Sequence, residues 1–465
     1  MNFVSFEFVF LFLVMLLSQL ILKNTRGRHA ALLLGSYVFY GWWDWRFCFL
    51  MLGLTAAAYI TALQLEKKRS RKTLAVGVGI PLLILFYFKY ACFFVDSFCK
   101  VFGIAYSGAL QIILPVGISF YTFQSLSYVI DVYRGKIKAN HDFLKFALYV
   151  SFFPQLVAGP IVKAADFLPQ LDEDRSPNWE RFKTGIGIFL WGVLKKAVLA
   201  DHLSTFVDSV FAAPAAYASV TVILAVISYA LQIYFDFAGY SDMAIGCAKI
   251  LGYDLPLNFD LPYISRNLTE FWHRWHISLS TWLSQYLYIP LGGNRKGKVR
   301  MYLNLMITMV LGGLWHGAGV NFILWGALHG AALCVHKAWS KRFPRKRGGI
   351  HYVVASLATF CFVCLCWVFF RAQTFEQALV ILTKLFVWSD GVVHIYSWSL
   401  VAIVCMAFAT LWCFVFSRDE RGEVHGRLPG FDFDSFWGCL AFFLLLGLAA
   451  ATMYTGENPF IYFQF

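Results

Sequence analysis

Three histidines in apolar stretches rich in glycine and tryptophan are the residues of this sequence best suited to chemistry. His276 lies in FWHRWHISLSTWL, His316 in GGLWHGAG and His329 in WGALHG. Ionisable side chains inside apolar membrane-type helices are rare, and they normally face a cavity or a partner. A neutral imidazole, whose unperturbed pKa is about 6.5, can accept the proton of a hydroxyl that attacks a thioester carbonyl. The three residues therefore point to acid–base chemistry in an apolar setting.

His316 is our candidate for the general base. It lies near the end of an apolar helix that begins at the basic stretch KGKVR. The glycines around it are Gly312, Gly313, Gly317 and Gly319. Glycine at this density lets another backbone, or a substrate, approach closely. The alternative is a structural histidine that hydrogen-bonds between two helices.

His276 lies in a block that is both aromatic and polar. At helical spacing the tryptophans of residues 272–282 form one side, while Arg274 and several hydroxyl side chains lie on the other. We expect His276 to position an acceptor group or to stabilise an oxyanion, and Arg274 to need a partner. The alternative is that the aromatic stripe is ordinary core packing. His273 and His276 lack a third ligand at matching spacing, so no bound metal is expected.

Further polar side chains are candidates for lining a tunnel or for binding an acyl donor. They are Asp236, Asp242, Arg274, Gln155, Asn321 and His329. Buried carboxylates must be protonated, paired or hydrogen-bonded. The two aspartates therefore have an alternative role as members of ion pairs. The cations considered for such pairs are Lys195, Arg266 and Arg274.

The composition of the chain requires a membrane around these residues. Of the 465 residues, 59% are hydrophobic and 14% are charged, and the mean hydropathy is +0.63. A surface with that balance could not stay hydrated. The net charge of +13 comes from short basic clusters between apolar runs. Such clusters set membrane topology, so nucleic-acid binding is not expected.

Apolar runs long enough to cross a bilayer recur along the chain, since one helical crossing needs about 20 residues. The candidate spans are 5–22, 30–43, 47–63, 74–95, 109–130, 184–204, 217–238, 301–319, 321–337, 352–370, 396–417 and 434–453. Residues 139–183 and 239–300 mix apolar stretches with many polar, glycine and proline residues. Irregular backbone at membrane depth is tolerated only inside protein or along a wet cavity. These two segments are therefore expected to form the functional centre.

The basic clusters also predict which loops face the cytoplasm. The densest lies in the loop 337–350, which we assign to the cytoplasmic side. Basic clusters after the first, third and fifth spans agree with an extracytoplasmic N-terminus. Counting the three spans that follow the loop 337–350 places the C-terminus on the same side. No internal repeat is visible, and this counts against a transporter built from inverted repeats.

Five sequence blocks together resemble a known family. They are PVGISFYTFQSLSYVIDVYRG at 115–135, QLVAGPIVKAADFLPQL at 155–171, QIYFDFAGYSDMAIG at 232–246, FWHRWHISLSTWLSQYLYIPLGGNR at 271–295 and GGLWHGAGVNFILWGALHG at 312–330. The sequence resembles bacterial membrane-bound O-acyltransferases (MBOATs). Its branch contains alginate O-acetylation membrane proteins, peptidoglycan O-acetyltransferases and lipoteichoic acid D-alanyl transferases. Where relatives more often carry arginine, this chain has His273, which leaves the local charge pairing open.

The resemblance implies an all-α polytopic membrane protein with about 10–12 transmembrane helices, plus short re-entrant or interfacial helices around a central tunnel. Residues 1–453 would form one transmembrane domain with a functional core at about 109–340. His316 would be the essential histidine and His276 the second important one, both in the tunnel. Acetyl from acetyl-CoA would cross the bacterial cytoplasmic (inner) membrane. The alternatives are D-alanyl transfer from a carrier-protein thioester and, in another class, a proton-coupled transporter.

The tail at 454–465 carries a second resemblance. Its end, PFIYFQF, is similar to the C-terminal hexapeptide of the small membrane peptide that accompanies the D-alanyl transferase. By that resemblance Tyr462 carries the acyl group on the outer face, whereas the alternative is an interfacial aromatic anchor. The implied partners are a cytoplasmic acyl-thioester donor, an extracytoplasmic SGNH hydrolase-like acyltransferase, a cell-surface polysaccharide and membrane lipid. No bound cofactor is expected.

Overall fold

Helices make up the regular secondary structure in the part of this chain that the structure describes. A computed structural model describes residues 1–104, 112–157, 159–342, 349–419, 424–426 and 430–456, and within these ranges there are nineteen α-helices and no β-strand. The all-α prediction is confirmed. Tyr462 lies outside the described residues.

The helices are α1 (Phe6–Ile21), α2 (Thr25–Asp44), α3 (Arg46–Lys67), α4 (Arg71–Val101), α5 (Ile118–Arg134), α6 (Phe143–Ser151), α7 (Phe153–Leu156), α8 (Ala164–Asp172), α9 (Trp179–Val193), α10 (Asp201–Ala212), α11 (Ser219–Ile250), α12 (Leu268–Arg274), α13 (Ile277–Leu283), α14 (Lys298–His316), α15 (Val320–Arg342), α16 (Gly349–Arg371), α17 (Phe375–Phe386), α18 (Ser397–Phe416) and α19 (Phe436–Thr452). Two π-helical segments, Leu194–Ala200 and Ser284–Tyr288, continue α9 and α13.

Side-chain hydroxyls fix the start of several of these helices. Ser5, Ser70, Thr374 and Ser435 each accept a hydrogen bond from the backbone N–H three residues further on, at 3.0–3.3 Å. Such a cap satisfies one of the N–H groups that has no partner within the helix, and its loss costs about 1 kcal/mol. The helix boundaries therefore follow from local sequence.

Five of the described helices are long and apolar enough to cross a membrane: α3, α4, α11, α16 and α18. The helices α1 and α19 are apolar but shorter. In α4 only 11% of the most apolar window is buried, whereas in α11 the share is 78%. The surface of α4 thus suits lipid, and α11 is surrounded by protein. The predicted total of about 10–12 spans stays a prediction.

Two predicted boundaries were wrong. The span expected at 217–238 is longer, because α11 continues to Ile250 through Gly239 and Gly246. Both glycines face backbone atoms of the segment 185–196 and so allow close helix packing. The span expected at 109–130 overlaps α5, which begins at Ile118 and ends at Arg134. The rest of the irregular centre has the expected character, with short helices α6 to α8 and α12 to α13.

The chain divides into two compact units. The first unit comprises residues Met1–Leu190 and Tyr240–Pro256. Within it, α5 packs against α3 and α4 and is buried around most of its circumference. A Cβ atom on Gly117 would lie 2.6 Å from the carbonyl oxygen of Leu156, at a backbone φ of +73°. Only glycine meets both requirements without strain.

Two glycines let α9 and α11 approach closely within the first unit. A Cβ atom on Gly246 would lie 2.6 Å from the carbonyl oxygen of Gly185 and 2.8 Å from the backbone nitrogen of Phe189. A Cβ atom on Gly185 would in turn lie 2.7 Å from the carbonyl oxygen of Gly246. The opposing atoms are backbone, so a side chain cannot turn aside. Contacts between small residues are a common way for membrane helices to pack.

We expect Gly246→Val to destabilise the protein by about 1–3 kcal/mol or more, because the added atoms overlap with the α9 backbone. The measurement is thermal unfolding in detergent. Gly53→Val is the matched control, since Gly53 is also helical and a Cβ atom there meets nothing within 4 Å. Equal unfolding temperatures for the two variants would contradict the packing account.

The second unit comprises Trp191–Gly239 and Leu257–Phe465. Its densest contact is the α14–α15 pair. A Cβ atom on Gly313 would lie 2.2 Å from the carbonyl oxygen of Phe322, and one on Gly326 would lie 2.4 Å from that of Met309. This close pair carries His316 at the end of α14 and His329 on α15.

Candidate active site

His276 occupies the turn between α12 and α13 in the second unit. Its side chain is fully buried, and its backbone has a φ of +42°, which is uncommon for a residue other than glycine. A neighbouring segment holds this turn in place: the N–H of Ile277 donates to the carbonyl oxygen of Asn258 at 2.9 Å, and the N–H of Asp260 donates to that of Arg274 at 2.9 Å. Strained backbone of this kind clusters at functional sites.

The imidazole of His276 has one polar contact and several aromatic ones. Its Nδ1 lies 3.1 Å from Oδ1 of Asn258. The ring meets Phe237 edge to face at a centroid distance of 4.7 Å and lies 5.9 Å from Trp315. Its Nε2 is buried and has no hydrogen-bond partner among the described residues.

His316 is the last residue of α14 and is only 3% exposed. Three aromatic rings meet its imidazole edge to face, at centroid distances of 5.0 Å for Trp315, 5.1 Å for Trp325 and 5.2 Å for Phe370. The Trp315 ring therefore contacts both His276 and His316. Two motifs forty residues apart in the sequence converge on one indole.

His329 extends this arrangement. It is fully buried on α15, and its ring lies 4.8 Å from Trp325 and 5.3 Å from Trp272. Neither of its ring nitrogens has a hydrogen-bond partner among the described residues. His316 and His329 thus share Trp325, and the three histidines and two tryptophans are linked by successive ring contacts. All five residues are buried, and electrostatic interactions are stronger in such surroundings than in water.

Asp236 forms an ion pair, but with a cation that the sequence analysis did not name. Its Oδ1 lies 2.6 Å from Nζ of Lys196, which also lies 2.6 Å from Oδ1 of Asp201. All three residues are buried. The cations considered from the sequence for Asp236 and Asp242 were Lys195, Arg266 and Arg274, and Lys196 was not among them. Lys196 belongs to the π-helical segment, whose wider turn changes the direction of successive side chains.

Arg274 has the partners that its burial requires. Its Nη1 donates to the carbonyl oxygen of Val424 at 2.8 Å and to that of Asp260 at 3.1 Å. Carboxylate oxygens of Asp260 and Glu270 lie 3.4 Å from the guanidinium. These contacts tie α12 to the segment 424–426, and they account for Arg274 in structural terms.

The remaining candidates are Asn321, Gln155 and Asp242. Asn321 donates from Nδ2 to the carbonyl oxygen of Ala372 at 2.8 Å, a contact that holds α15 to the end of α16. Gln155 and Asp242 belong to the first unit, whereas the three histidines belong to the second. Gln155 donates to the carbonyl oxygen of Tyr149 at 2.5 Å, and its Oε1 has no partner among the described residues. The roles of Asn321, Gln155 and Asp242 in lining the tunnel or binding the donor stay predictions.

No metal centre is visible among the described residues, where no group of three potential ligands converges. His273 is exposed and His276 is buried, so these two imidazoles have different surroundings. Asn258 and Lys196 are the polar residues that sequence reasoning missed. Asn258 lies between Asp254 and Asp260 in the stretch DLPLNFDLP, and no spacing rule connects it with His276.

Comparison with known proteins identifies the family. The family model for membrane-bound O-acyltransferases matches residues 136–379, a range that contains His276, His316 and His329. The chain belongs to the MBOAT family. An MBOAT is a polytopic membrane enzyme that transfers acyl groups to oxygen, so the predicted acyltransferase activity and the multi-pass location in the bacterial inner membrane are confirmed.

Three bacterial relatives define the branch. The chain is 42% identical to the probable alginate O-acetylase AlgI of Pseudomonas aeruginosa over 387 residues, covering 81% of this chain and 73% of the relative. It is 38% identical to the peptidoglycan O-acetyltransferase of Helicobacter pylori over 410 residues, covering 81% and 78%. It is 28% identical to the teichoic acid D-alanyltransferase of Bacillus subtilis over 279 residues, covering 56% and 70%. The predicted MBOAT branch is confirmed.

Proposed function

We propose that this MBOAT takes acetyl groups from acetyl-CoA in the cytoplasm and passes them across the membrane for O-acetylation of a cell-surface polysaccharide. The observation that carries the catalytic part is the convergence of His276 and His316 on Trp315 within the family region. Acetyl is favoured over D-alanyl because the relatives at 42% and 38% identity are named for O-acetylation, and the D-alanyltransferase is 28% identical.

In the proposed reaction, His316 is the general base. Its imidazole accepts the proton of the acceptor hydroxyl while the hydroxyl oxygen attacks the thioester carbonyl carbon. The tetrahedral intermediate then collapses, the carbon–sulfur bond breaks, and the proton passes from His316 to the departing thiolate. One ester and one thiol result, and no further reactant is needed. The buried aromatic surroundings keep water from hydrolysing the thioester.

The proposed first acceptor is the phenol of Tyr462, reached from the extracytoplasmic side through the central tunnel. An extracytoplasmic SGNH hydrolase-like protein would then move the acetyl group to a sugar hydroxyl. The similarity of the last residues to the acyl-carrying hexapeptide supports this role. In the anchor hypothesis the same tail only holds the C-terminus in the membrane interface. The variant Tyr462→Phe distinguishes the carrier hypothesis from the anchor hypothesis.

The cellular test of this function is the ester content of surface polymers after the gene is inactivated in its own bacterium. We expect O-acetyl esters to disappear and to return when the gene is supplied on a plasmid. Polymer-bound D-alanine is measured in parallel. Loss of D-alanyl esters with normal acetylation would support the D-alanyl transferase alternative, and no change in either ester would contradict the proposal.

The proposal also requires an extracytoplasmic C-terminus. We expect alkaline phosphatase fused after residue 465 to be active and green fluorescent protein at the same position to be dark, since each reporter works on one side of the membrane only. Fusions within the loop 337–350 should give the opposite pair of results. A fluorescent C-terminal fusion would place Tyr462 on the donor side and exclude the relay.

A further inference from the structure

We propose that Asn258 is a positioning residue that fixes the tautomer of His276. In this tautomer the proton sits on Nδ1, and Nε2 presents a lone pair to a hydrogen-bond donor on the substrate. The proposal rests on the proposed function of His276 in acyl transfer. It assigns a role to a residue that no motif singled out, and it decides between the two roles expected for His276.

The contacts of the Asn258 side chain define which way its amide group faces. Its Oδ1 lies 3.3 Å from the backbone nitrogen of Ser278 and 2.9 Å from the Ser278 hydroxyl oxygen. A backbone N–H can only donate, so the amide atom that faces it must be the oxygen. The main chain of Asn258 is held as well, because its carbonyl oxygen accepts from the N–H of Ile277.

The tautomer of His276 follows from that orientation. Oδ1 of Asn258 can only accept, so Nδ1 of His276, 3.1 Å away, must donate. A neutral imidazole carries one N–H, which leaves Nε2 unprotonated. Protonating both nitrogens would place a charge among Phe237, Phe259 and Trp315, where desolvation makes charge costly.

This assignment limits what His276 can do. An unprotonated Nε2 cannot donate a hydrogen bond to an oxyanion, so that role is excluded for the neutral ring. It can accept from an O–H or N–H group, and it has no such donor among the described residues. We infer that the substrate supplies the donor. Two substrate groups can donate such a hydrogen bond: the acceptor hydroxyl and an amide N–H of the pantetheine arm of CoA.

The first test reads the tautomer directly. In protein labelled with ¹⁵N-histidine and reconstituted in bilayers, solid-state NMR separates protonated from unprotonated ring nitrogens, and a His276→Gln sample assigns the signal. We expect protonated Nδ1 and bare Nε2 in the wild type. In Asn258→Leu the proton should shift toward Nε2. A wild-type His276 protonated on Nε2 would overturn the proposal whatever the activity.

The second test measures acetyl-CoA turnover. We expect the turnover rate of Asn258→Leu to fall about 10–100-fold, the range found when the hydrogen-bond partner of a metal-ligating histidine is removed. Asn258→Asp keeps an acceptor oxygen and should retain most activity. If kcat falls while KM for acetyl-CoA is unchanged, the group that donates a hydrogen bond to Nε2 is the acceptor hydroxyl. If KM rises, that group is the pantetheine amide.

A matched control separates positioning from stability. Asn304 is also a buried asparagine of the second unit, and its Nδ2 donates to the carbonyl oxygen of Gly293 at 3.1 Å. Asn304→Leu removes a comparable hydrogen bond and should leave the His276 signal unchanged. Full activity of Asn258→Leu, with His316→Ala inactive, would refute this inference alone. Full activity of His316→Ala would refute the proposed function instead.

Discussion

His316→Ala is expected to lower the rate of acetyl transfer by about 10²–10⁴-fold, the range that general acid–base catalysis supplies. In the proposed reaction the imidazole of His316 accepts the proton of the hydroxyl and then donates it to the leaving thiolate. The methyl group of alanine can do neither. The measurement is release of free CoA by purified enzyme, followed with a thiol reagent.

Two further variants make this result specific. His351→Ala replaces an exposed histidine on α16 and should be fully active. His276→Ala should be severely impaired but keep residual activity, because it removes a positioning group and leaves the base. All variants must insert and accumulate like the wild type, which size-exclusion chromatography can confirm. Wild-type turnover in His316→Ala would remove the catalytic proposal.

Tyr462→Phe is expected to abolish acetylation of the surface polymer, although it removes a single oxygen atom. A phenol has a pKa of about 10 and is a poor nucleophile at neutral pH, so it requires a nearby base such as His316. The anchor hypothesis predicts no loss, since phenylalanine is at least as apolar and would hold the tail in the interface equally well. The measurement is the O-acetyl content of isolated polymer.

Tyr454→Phe is the control for this substitution. Tyr454 lies eight residues earlier in the same tail, and its backbone N–H donates to the carbonyl oxygen of Ala197 at 2.9 Å. That contact does not use the phenol oxygen, so the variant should acetylate normally. If Tyr462→Phe also acetylates at the wild-type rate, the acetyl group must pass directly from the donor to a partner or polymer hydroxyl.

The sequence alone was sufficient to predict the class of protein, and it pointed to buried histidines whose catalytic role stays a prediction. Long apolar runs with few charges require a bilayer, and imidazoles inside such runs are rare enough to stand out. His276 and His316 were selected on these grounds, and the structure brings both to Trp315. The irregular backbone near residues 251–300 was also predictable, since its polar residues could not face lipid.

What the sequence left open depended on geometry that spacing does not encode. Lys195 and Lys196 are adjacent, and only the π-helical turn decides that the second one meets Asp236. The predicted irregular segment began at residue 239, but α11 continues through Gly239 and Gly246, because whether a glycine breaks a helix or lets another helix approach depends on its neighbour in space. Asn258 acquires its role through a turn eighteen residues away.

The measurement that tests the central claim most directly is the mapping of covalent label after the purified enzyme is incubated with isotopically labelled acetyl-CoA. Peptides are identified by mass spectrometry, and the His316→Ala enzyme is treated in parallel. We predict a labelled acetyl ester on Tyr462 in the wild type and none in His316→Ala. Label that is absent from the wild-type tail, or equal in the two proteins, would contradict acyl transfer to Tyr462 catalysed by His316.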